Sequence, residues 1–202
     1  MGVTDHMDAA DYYDRGAAGF AARYNSVTFG EVHPLLARYL PDSGRALDIG
    51  AGSGRDARAL AALGLNVTAV EPSIGLRNFG KASSPGIRWV DDRLPELRQL
   101  ADQVGSYDLI LCSAVLMLIA PDDLAPSFLA MAQLATLGGR QAINVRQPMA
   151  GEPANIFFAH TGASILTAAA TAGLSCVERV ESDDALGRAP YRWNNFIFER
   201  TI

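Results

Sequence analysis

Short apolar runs alternate with helical patterns along most of this chain. The first run, at 46–49, has Leu47 and Ile49 around a single Asp48, which is typical of a strand buried on both faces of a parallel sheet. Further strands are predicted at 66–70, 85–90, 107–112 and 142–146, and helical patterns between them at 55–63, 73–84, 94–104 and 121–136. This alternation predicts an α/β fold with a right-handed, doubly wound parallel sheet.

The two ends of the chain differ from this pattern. After a predicted helix at 161–172, strands at 174–180 and 191–200 are joined by an acidic loop that is short enough for an antiparallel β hairpin. Residues 1–40 are predicted to form a helical arm, with helices at 8–24 and 31–40, that lies over the core at 41–202. The aromatic residues of the arm either pack against the sheet, or Tyr12 or Tyr13 covers a bound ligand as a lid.

A glycine turn follows the first strand. Gly50, Gly52 and Gly54 remove side chains at alternate positions, so a ligand can approach the backbone closely. A strongly helical stretch starts at Arg55, and we expect the free backbone N–H groups of its first turn to face the turn. The combination predicts a site for the polar part of a nucleotide-like ligand.

Acidic residues follow the second and third strands. Glu71 and Pro72 come directly after 66–70, and Asp91 and Asp92 after 85–90. The carboxyl ends of parallel strands meet at one edge, where such sheets bind ligands, and a carboxylate there accepts hydrogen bonds from both hydroxyls of a ribose. Glu71 is therefore a candidate for a ribose diol, and either aspartate for an adenine amino group. The alternative is that these acids are solvated strand ends.

Composition limits the possible partners. The chain has 202 residues, 49% hydrophobic and 19% charged, so one well-buried domain is expected. A net charge of -5 and a pI near 5.1 argue against nucleic acid, whose partners normally present a basic face.

Cysteine usage and apolar runs bear on location. Cys112 and Cys176 lie in apolar stretches without metal-ligand spacing, so both are expected to be buried free thiols in a reducing, cytoplasmic environment. The acidic N-terminus does not look like a secretory signal. No membrane partner is expected, because the longest uncharged apolar run, 109–120, is shorter than the ~20 residues of a membrane helix.

Taken together, these motifs resemble the class I S-adenosylmethionine-dependent methyltransferases. The resemblance runs from about residue 45 to the C-terminus and rests on LDIGAGSG at 47–54, the acids after the second and third strands, YDLILCSAVL at 107–116 and LGGRQAIN at 137–144. Arg55 stands where a dinucleotide fingerprint would have its last glycine, which disfavours a nicotinamide oxidoreductase.

The resemblance implies a Rossmann-like sheet of seven strands, with S-adenosylmethionine as cofactor and S-adenosylhomocysteine as product. In the family, an acid at the position of Asp48 organises the glycine turn near the methionine moiety. The implied cofactor-binding residues are Tyr13, Asp48, Gly50, Ala51, Gly52, Ser53, Gly54, Asp56, Glu71, Pro72, Asp91, Asp92, Ser113 and Ala114.

Methyl transfer from a sulfonium is an in-line displacement that depends mainly on alignment, and a general base is needed only if the acceptor must lose a proton. His160, before a predicted helix, and Arg146, after the fifth strand, are candidates, although each is equally explained as a residue without catalytic function. His33 is expected at the surface. No metal site is expected.

The acceptor is expected to be a small molecule that is methylated on O, N or C. After the fourth strand the chain has CSAV, and it lacks the Asn or Asp followed by two prolines and an aromatic residue that base-modifying DNA methyltransferases carry there. The alternative function is a regulatory protein that binds the cofactor without catalysis. A monomer or a homodimer is expected.

Overall fold

Seven strands form one sheet in the computed structural model, which describes residues 7–202. In chain order they are β1 Arg45–Ile49, β2 Asn66–Val70, β3 Arg88–Val90, β4 Tyr107–Ser113, β5 Ala135–Arg146, β6 Leu174–Asp183 and β7 Arg192–Arg200. Their spatial order is β3-β2-β1-β4-β5-β7-β6. The first five are parallel, and β7 runs antiparallel to both β5 and β6. The predicted mostly parallel sheet with a C-terminal hairpin is confirmed.

Helices cover both faces of this sheet. They are α1 Ala9–Arg15, α2 Ala17–Tyr24, α3 Phe29–Val32, α4 Arg55–Ala62, α5 Ile74–Ser83, α6 Leu124–Leu134 and α7 Gly162–Thr171. Successive side chains of β1 alternate between the faces, because Leu47 and Ile49 belong to the apolar cluster that contains Phe128 of α6, whereas Ala46 packs with Leu60 of α4. The carboxyl ends of β1, β2 and β4 consequently share one edge between the helical layers.

Two predicted helices are much shorter than expected. The stretch 31–40 contains only the end of α3 and a 3-10 turn at Leu36–Arg38, since Pro34 has no N–H to continue the helix and disfavours helical backbone at His33. The stretch 94–104 contains only a 3-10 turn at Arg98–Leu100, which follows Leu97 in a left-handed conformation with φ of 46°.

Two expectations about exposure are wrong. Cys176 is exposed on the edge strand β6, although Cys112 is fully buried as predicted. His33 is buried, because its imidazole packs against α4 and bonds Asp56. Within residues 7–202, no helix has both the length and the apolar character of a membrane span. The interpretation of the N-terminus as lacking a signal depends partly on residues 1–6, which lie outside the described range.

Candidate active site

A cavity of about 400 Å³ opens at the carboxyl ends of the parallel strands. Its floor is the turn between β1 and α4 together with the ends of β2 and β4. Residues of α1 and α2 cover one side, and the connection between β6 and β7 forms another. This position agrees with the edge where open α/β sheets bind ligands.

The glycine turn is fixed by contacts with β2 and with Val115 after β4. Gly50 has φ of 69°, and a Cβ added there would lie 2.3 Å from a methyl carbon of Val115. The N–H groups of Gly50 and Ala51 both donate to the Val70 carbonyl, at 2.8 and 2.9 Å. These two N–H groups are therefore not free for a ligand, because the parallel pairing of β1 and β2 continues into the turn.

Glu71 joins the end of β2 to this turn. One carboxylate oxygen accepts from the Gly52 N–H at 2.7 Å and the other from the Ser73 N–H at 2.8 Å. Each oxygen keeps a second lone pair, so the carboxylate can still accept from a diol. Burial raises the pKa of Glu71 to about 7, despite the two N–H donors. Glu71 lines the cavity, as does Pro72 beside it.

The two aspartates after β3 differ in orientation. Asp91 does not line the cavity, because its carboxylate bonds the Arg77 guanidinium at 2.8 Å, and Arg77 also donates to the carbonyls of Glu71 and Pro72. Asp92 lines the cavity and accepts from the N–H groups of Arg93 and Gln99, at 2.9 and 2.7 Å. Of the two, only Asp92 is placed to contact a ligand there.

A buried charged network lies beside the glycine turn. Arg55 grips the Asp56 carboxylate at 2.6 and 2.7 Å, and the Nε2 of His33 approaches it at 3.0 Å. Burial alone would raise the pKa of Asp56, but His33 and Arg55 hold it well below its ordinary value. Asp48 is buried on β1 and one of its oxygens has no partner, so burial raises its pKa well above normal. Asp48 does not line the cavity, whereas Asp56 does.

The arm contributes two tyrosines to the cavity, Tyr13 and Tyr24. The ring of Tyr24 lies over the glycine turn, where a Cβ on Gly52 would be 3.6 Å from it. Burial raises the pKa of both hydroxyls, so both stay protonated at neutral pH. Tyr12 does not line the cavity and packs edge-on against Phe157. Asp14 fixes the arm by accepting from the Ser73 hydroxyl and the Gly75 N–H.

The far wall contains two arginine–carboxylate pairs. Arg146 at the end of β5 binds both oxygens of Glu152, at 2.9 and 2.6 Å, and both side chains are more than nine-tenths buried. Arg188 binds both oxygens of Asp184, which also accepts from the indole N–H of Trp193 at 2.8 Å. His160 does not line the cavity, and its Nε2 lies 2.9 Å from the Ile119 carbonyl.

The structure thus brings most of the sequence-predicted site residues to one cavity. Those that line it are Tyr13, Gly50, Ala51, Gly52, Ser53, Asp56, Glu71, Pro72, Asp92, Ser113, Ala114 and Arg146. Asp48, Gly54, Asp91 and His160 do not. Sequence reasoning missed Tyr24, Asn144 and Asp184; only Asn144, near the end of a parallel strand, could have been found from its position. The part of the chain from 7 to 202 has no cluster of His, Cys, Asp and Glu suited to a metal.

Residues 47–141, from β1 into β5, match the family model described as a methyltransferase domain. This segment of the chain is therefore similar to the methyltransferase domain family. None of the curated protein sequences matches the chain significantly. The arm and the β6–β7 hairpin, which complete the cavity, lie outside the matched range.

Several solved structures share the fold of this chain. A TehB-like S-adenosylmethionine-dependent methyltransferase from Corynebacterium glutamicum is 21% identical, with a TM-score of 0.71 over 93% of this chain and 99% of that one. The 1,6-didemethyltoxoflavin-N1-methyltransferase of Burkholderia thailandensis, solved with its substrate and S-adenosylhomocysteine, is 19% identical, with a TM-score of 0.71 over 97% of this chain and 92% of that one. An S-adenosylmethionine-dependent methyltransferase from Mesorhizobium loti is 20% identical, with a TM-score of 0.69 over 84% and 98%.

Proposed function

We propose that this protein transfers the methyl group of S-adenosylmethionine to an O, N or C atom of a small molecule. The observation that carries the proposal is Glu71, a buried carboxylate that is fixed to the glycine turn and still has a free lone pair on each oxygen. A ribose diol is the group that such a carboxylate suits.

The neighbouring residues fit the rest of that cofactor. The side-chain-free turn at Gly50 and Gly52 leaves room for close approach to the backbone, and the ring of Tyr24 can close over it. Asp92 is held by two N–H groups and can accept from an adenine amino group. The similar structures from C. glutamicum and B. thailandensis support the same cofactor for this chain.

S-adenosylmethionine supplies an already activated methyl group, so the protein's task is to align the acceptor and exclude water. Tyr13 and Tyr24 can contribute to this task from the arm, because both line the cavity with rings that help to exclude water. Neither candidate base is placed for this role: the Nε2 of His160 lies against the Ile119 carbonyl outside the cavity, and Arg146 is paired with Glu152. We therefore infer in-line transfer without a strong protein base.

Titration calorimetry with S-adenosylmethionine and S-adenosylhomocysteine tests the cofactor assignment, and a metabolite-library assay with product mass as readout tests transfer. We expect binding of both compounds and a mass gain of one methylene unit in at least one metabolite. Lack of binding to the wild-type protein would overturn the proposal.

A regulatory protein that binds the cofactor without catalysis is the second candidate. No histidine among residues 7–202 lines the cavity, so an acceptor that must lose a proton before transfer would find no imidazole base there, which favours this second candidate for acceptors of that kind. Tight cofactor binding together with no transfer across the library would favour this function over catalysis.

A further inference from the structure

Every arginine that lines the cavity within residues 7–202 has a carboxylate partner, and no lysine lines it. The nitrogen–oxygen distances are 2.6 Å for Arg55–Asp56, 2.6 Å for Arg93–Asp8, 2.6 Å for Arg146–Glu152 and 2.7 Å for Arg188–Asp184. An anionic acceptor would lose hydration on entry without meeting an unpaired arginine or lysine among the lining residues, whereas the carboxylate of S-adenosylmethionine enters beside the cofactor's own ammonium group.

Both pairs on the wall away from the glycine turn are bidentate. Both carboxylate oxygens of Glu152 accept hydrogen bonds from the Arg146 guanidinium. One of them also accepts from the Met149 N–H at 2.6 Å. Asp184 accepts from the N–H and the guanidinium of Arg188, and these contacts hold its pKa well below the ordinary value against the effect of burial. Asp184 therefore stays ionised at neutral pH and neutralises Arg188, while Arg146 is held in a bidentate ion pair with Glu152.

Further carboxylates lie at the mouth of the cavity. Glu31 and Asp123 line it and are exposed to solvent, whereas Asp183 lies 3.5 Å from the guanidinium of Arg192. Carboxylates at a mouth lower the local concentration of anions through the field they create. The carboxylates at the mouth and the charge pairing inside the cavity thus both disfavour binding of an anionic acceptor.

Several of the remaining lining residues are aromatic or apolar, beside the polar Asn144 and Asn155. Trp193 faces the cavity, and its indole N–H is engaged by Asp184, so the ring is held in place rather than offering a donor. Tyr13, Tyr24 and Phe158 contribute three further rings, and Leu186 adds an aliphatic side chain. Flat rings are suited to stacking and edge contacts with another ring.

We propose that the methyl acceptor is an aromatic compound without an anionic group. This inference rests on the proposed function, since it assigns the substrate class of the same cavity. It excludes carboxylates and phosphates from the part of the acceptor that enters the cavity.

Matched aromatic probes test this preference independently of turnover. Protein saturated with S-adenosylhomocysteine is titrated, with ligand-observed NMR, against 2-naphthol and 2-naphthoate, and against indole and indole-3-carboxylate. We expect the neutral member of each pair to bind about tenfold or more tightly than its carboxylate. Equal binding, preference for the carboxylate, or binding of neither member would overturn the inference.

Two variants with the same change in net charge locate the cause. Asp184→Asn releases the charge of Arg188 into the cavity and should shift the neutral-to-carboxylate affinity ratio toward the carboxylate by about fivefold or more. Asp122→Asn removes an exposed carboxylate that does not line the cavity and should shift the ratio by less than about twofold. Equal shifts in both variants would contradict the role given to pairing. If Asp184→Asn does not fold, Arg188→Met serves instead: it leaves the Asp184 carboxylate without its cation, so the neutral-to-carboxylate ratio should rise above the wild-type value, and an unchanged ratio would contradict the role of pairing.

The proposed function and the proposed acceptor class can be rejected by different results. Absence of S-adenosylhomocysteine binding by calorimetry would reject the proposed function. The same probe comparison on the protein alone would still decide whether the cavity discriminates against anions.

Discussion

Glu71 accepts a hydrogen bond of 2.7 Å from the backbone N–H of Gly52, so the acid at the end of β2 is tied directly to the turn that follows β1. This hydrogen bond connects the end of β2 to the turn that follows the neighbouring strand β1. It also places a buried carboxylate at the edge of the cavity, where burial raises its pKa. Several expected properties of the protein depend on this single contact.

Removal of the Glu71 carboxylate should weaken cofactor binding. Glu71→Ala is expected to cost about 1.5 to 3 kcal/mol of S-adenosylmethionine binding energy, because charge-assisted hydrogen bonds to the diol are lost. Glu71→Gln keeps the shape and tests the charge alone. Asp91→Asn is the matched control, because Asp91 binds Arg77 and does not line the cavity. The cofactor affinity of this variant should stay near the wild-type value. Calorimetry measures all three, and unchanged affinity in both Glu71 variants would remove this residue from the site.

Cofactor affinity should rise with pH around neutrality. With a pKa of about 7, Glu71 holds a proton below pH 7 that must leave before the carboxylate can accept from a diol. The dissociation constant should therefore fall by up to about tenfold per unit as the pH rises toward 7, and level off above about pH 8. Calorimetry across this range checks the profile. Glu71→Gln should flatten it, and a wild-type profile independent of pH would contradict the assignment.

The same proton affects stability with the opposite sign. The folded protein holds it more tightly than the unfolded chain, whose carboxyl has an ordinary pKa of 4.5. The contribution of Glu71 to the unfolding free energy is thus fully present below that value and is lost as the pH rises through about 7. Denaturant titrations of the wild type and Glu71→Gln should diverge over this window, with the wild type losing more stability.

The fold was largely predictable because its signals are local. Apolar runs mark β1 to β5 wherever both faces are covered, and the glycine turn and Glu71 occupy fixed positions relative to those strands. The helix predicted at 31–40 fails for a local reason too, since Pro34 interrupts it.

Contacts between distant segments were not predictable in this way. His33 and Asp56 are 23 residues apart, and nothing in the sequence near His33 indicates that α4 buries it. Asp91 and Asp92 are adjacent and chemically identical, yet Arg77 takes one of them out of the cavity. Asp184 and Trp193 form part of the cavity wall because the connection between β6 and β7 lies against the cavity. The alternation of apolar and polar residues along the strands does not predict the path of that connection.

The buried network around Asp56 should stabilise the protein. Asp56→Asn leaves Arg55 and His33 without their buried anionic partner, which is expected to lower the unfolding free energy by about 3 to 5 kcal/mol. Asp122→Asn, an exposed change of the same kind, should alter it by less than about 0.5 kcal/mol. Denaturant unfolding at pH 7 measures both, and similar values for the two variants would show that the network contributes little.

Acid should weaken the same network in the wild type. The pKa of Asp56 lies well below its ordinary value of 3.8, so its stabilising contribution is present above that value and is lost as the pH falls below it. The unfolding free energy of the wild type should decrease on acidification below about pH 4 more steeply than that of Asp56→Asn. Parallel curves for the two proteins would contradict this explanation.

The glycine turn should not accept a side chain. Gly50→Ala combines a φ of 69° with a Cβ placed 2.3 Å from Val115, so loss of both stability and cofactor binding is expected, by about 1 to 3 kcal/mol of unfolding free energy. Gly19→Ala, in α2 with no atom near the added carbon, should instead stabilise by about 0.5 to 1 kcal/mol. Thermal unfolding compares them, and a neutral Gly50→Ala would contradict the tight turn.

The two cysteines should react very differently with a thiol reagent. Cys112 is fully buried on β4, and burial raises the pKa of its thiol well above the usual value, whereas Cys176 lies exposed on β6. Because the thiolate is the reactive form and must be reached by the reagent, the native protein should take up one maleimide, at Cys176, and a second only on unfolding. Mass spectrometry counts the additions, and Cys176→Ser should abolish the native one. Rapid double labelling of the folded wild type would mean that β4 opens far more readily than its position in the middle of the sheet implies.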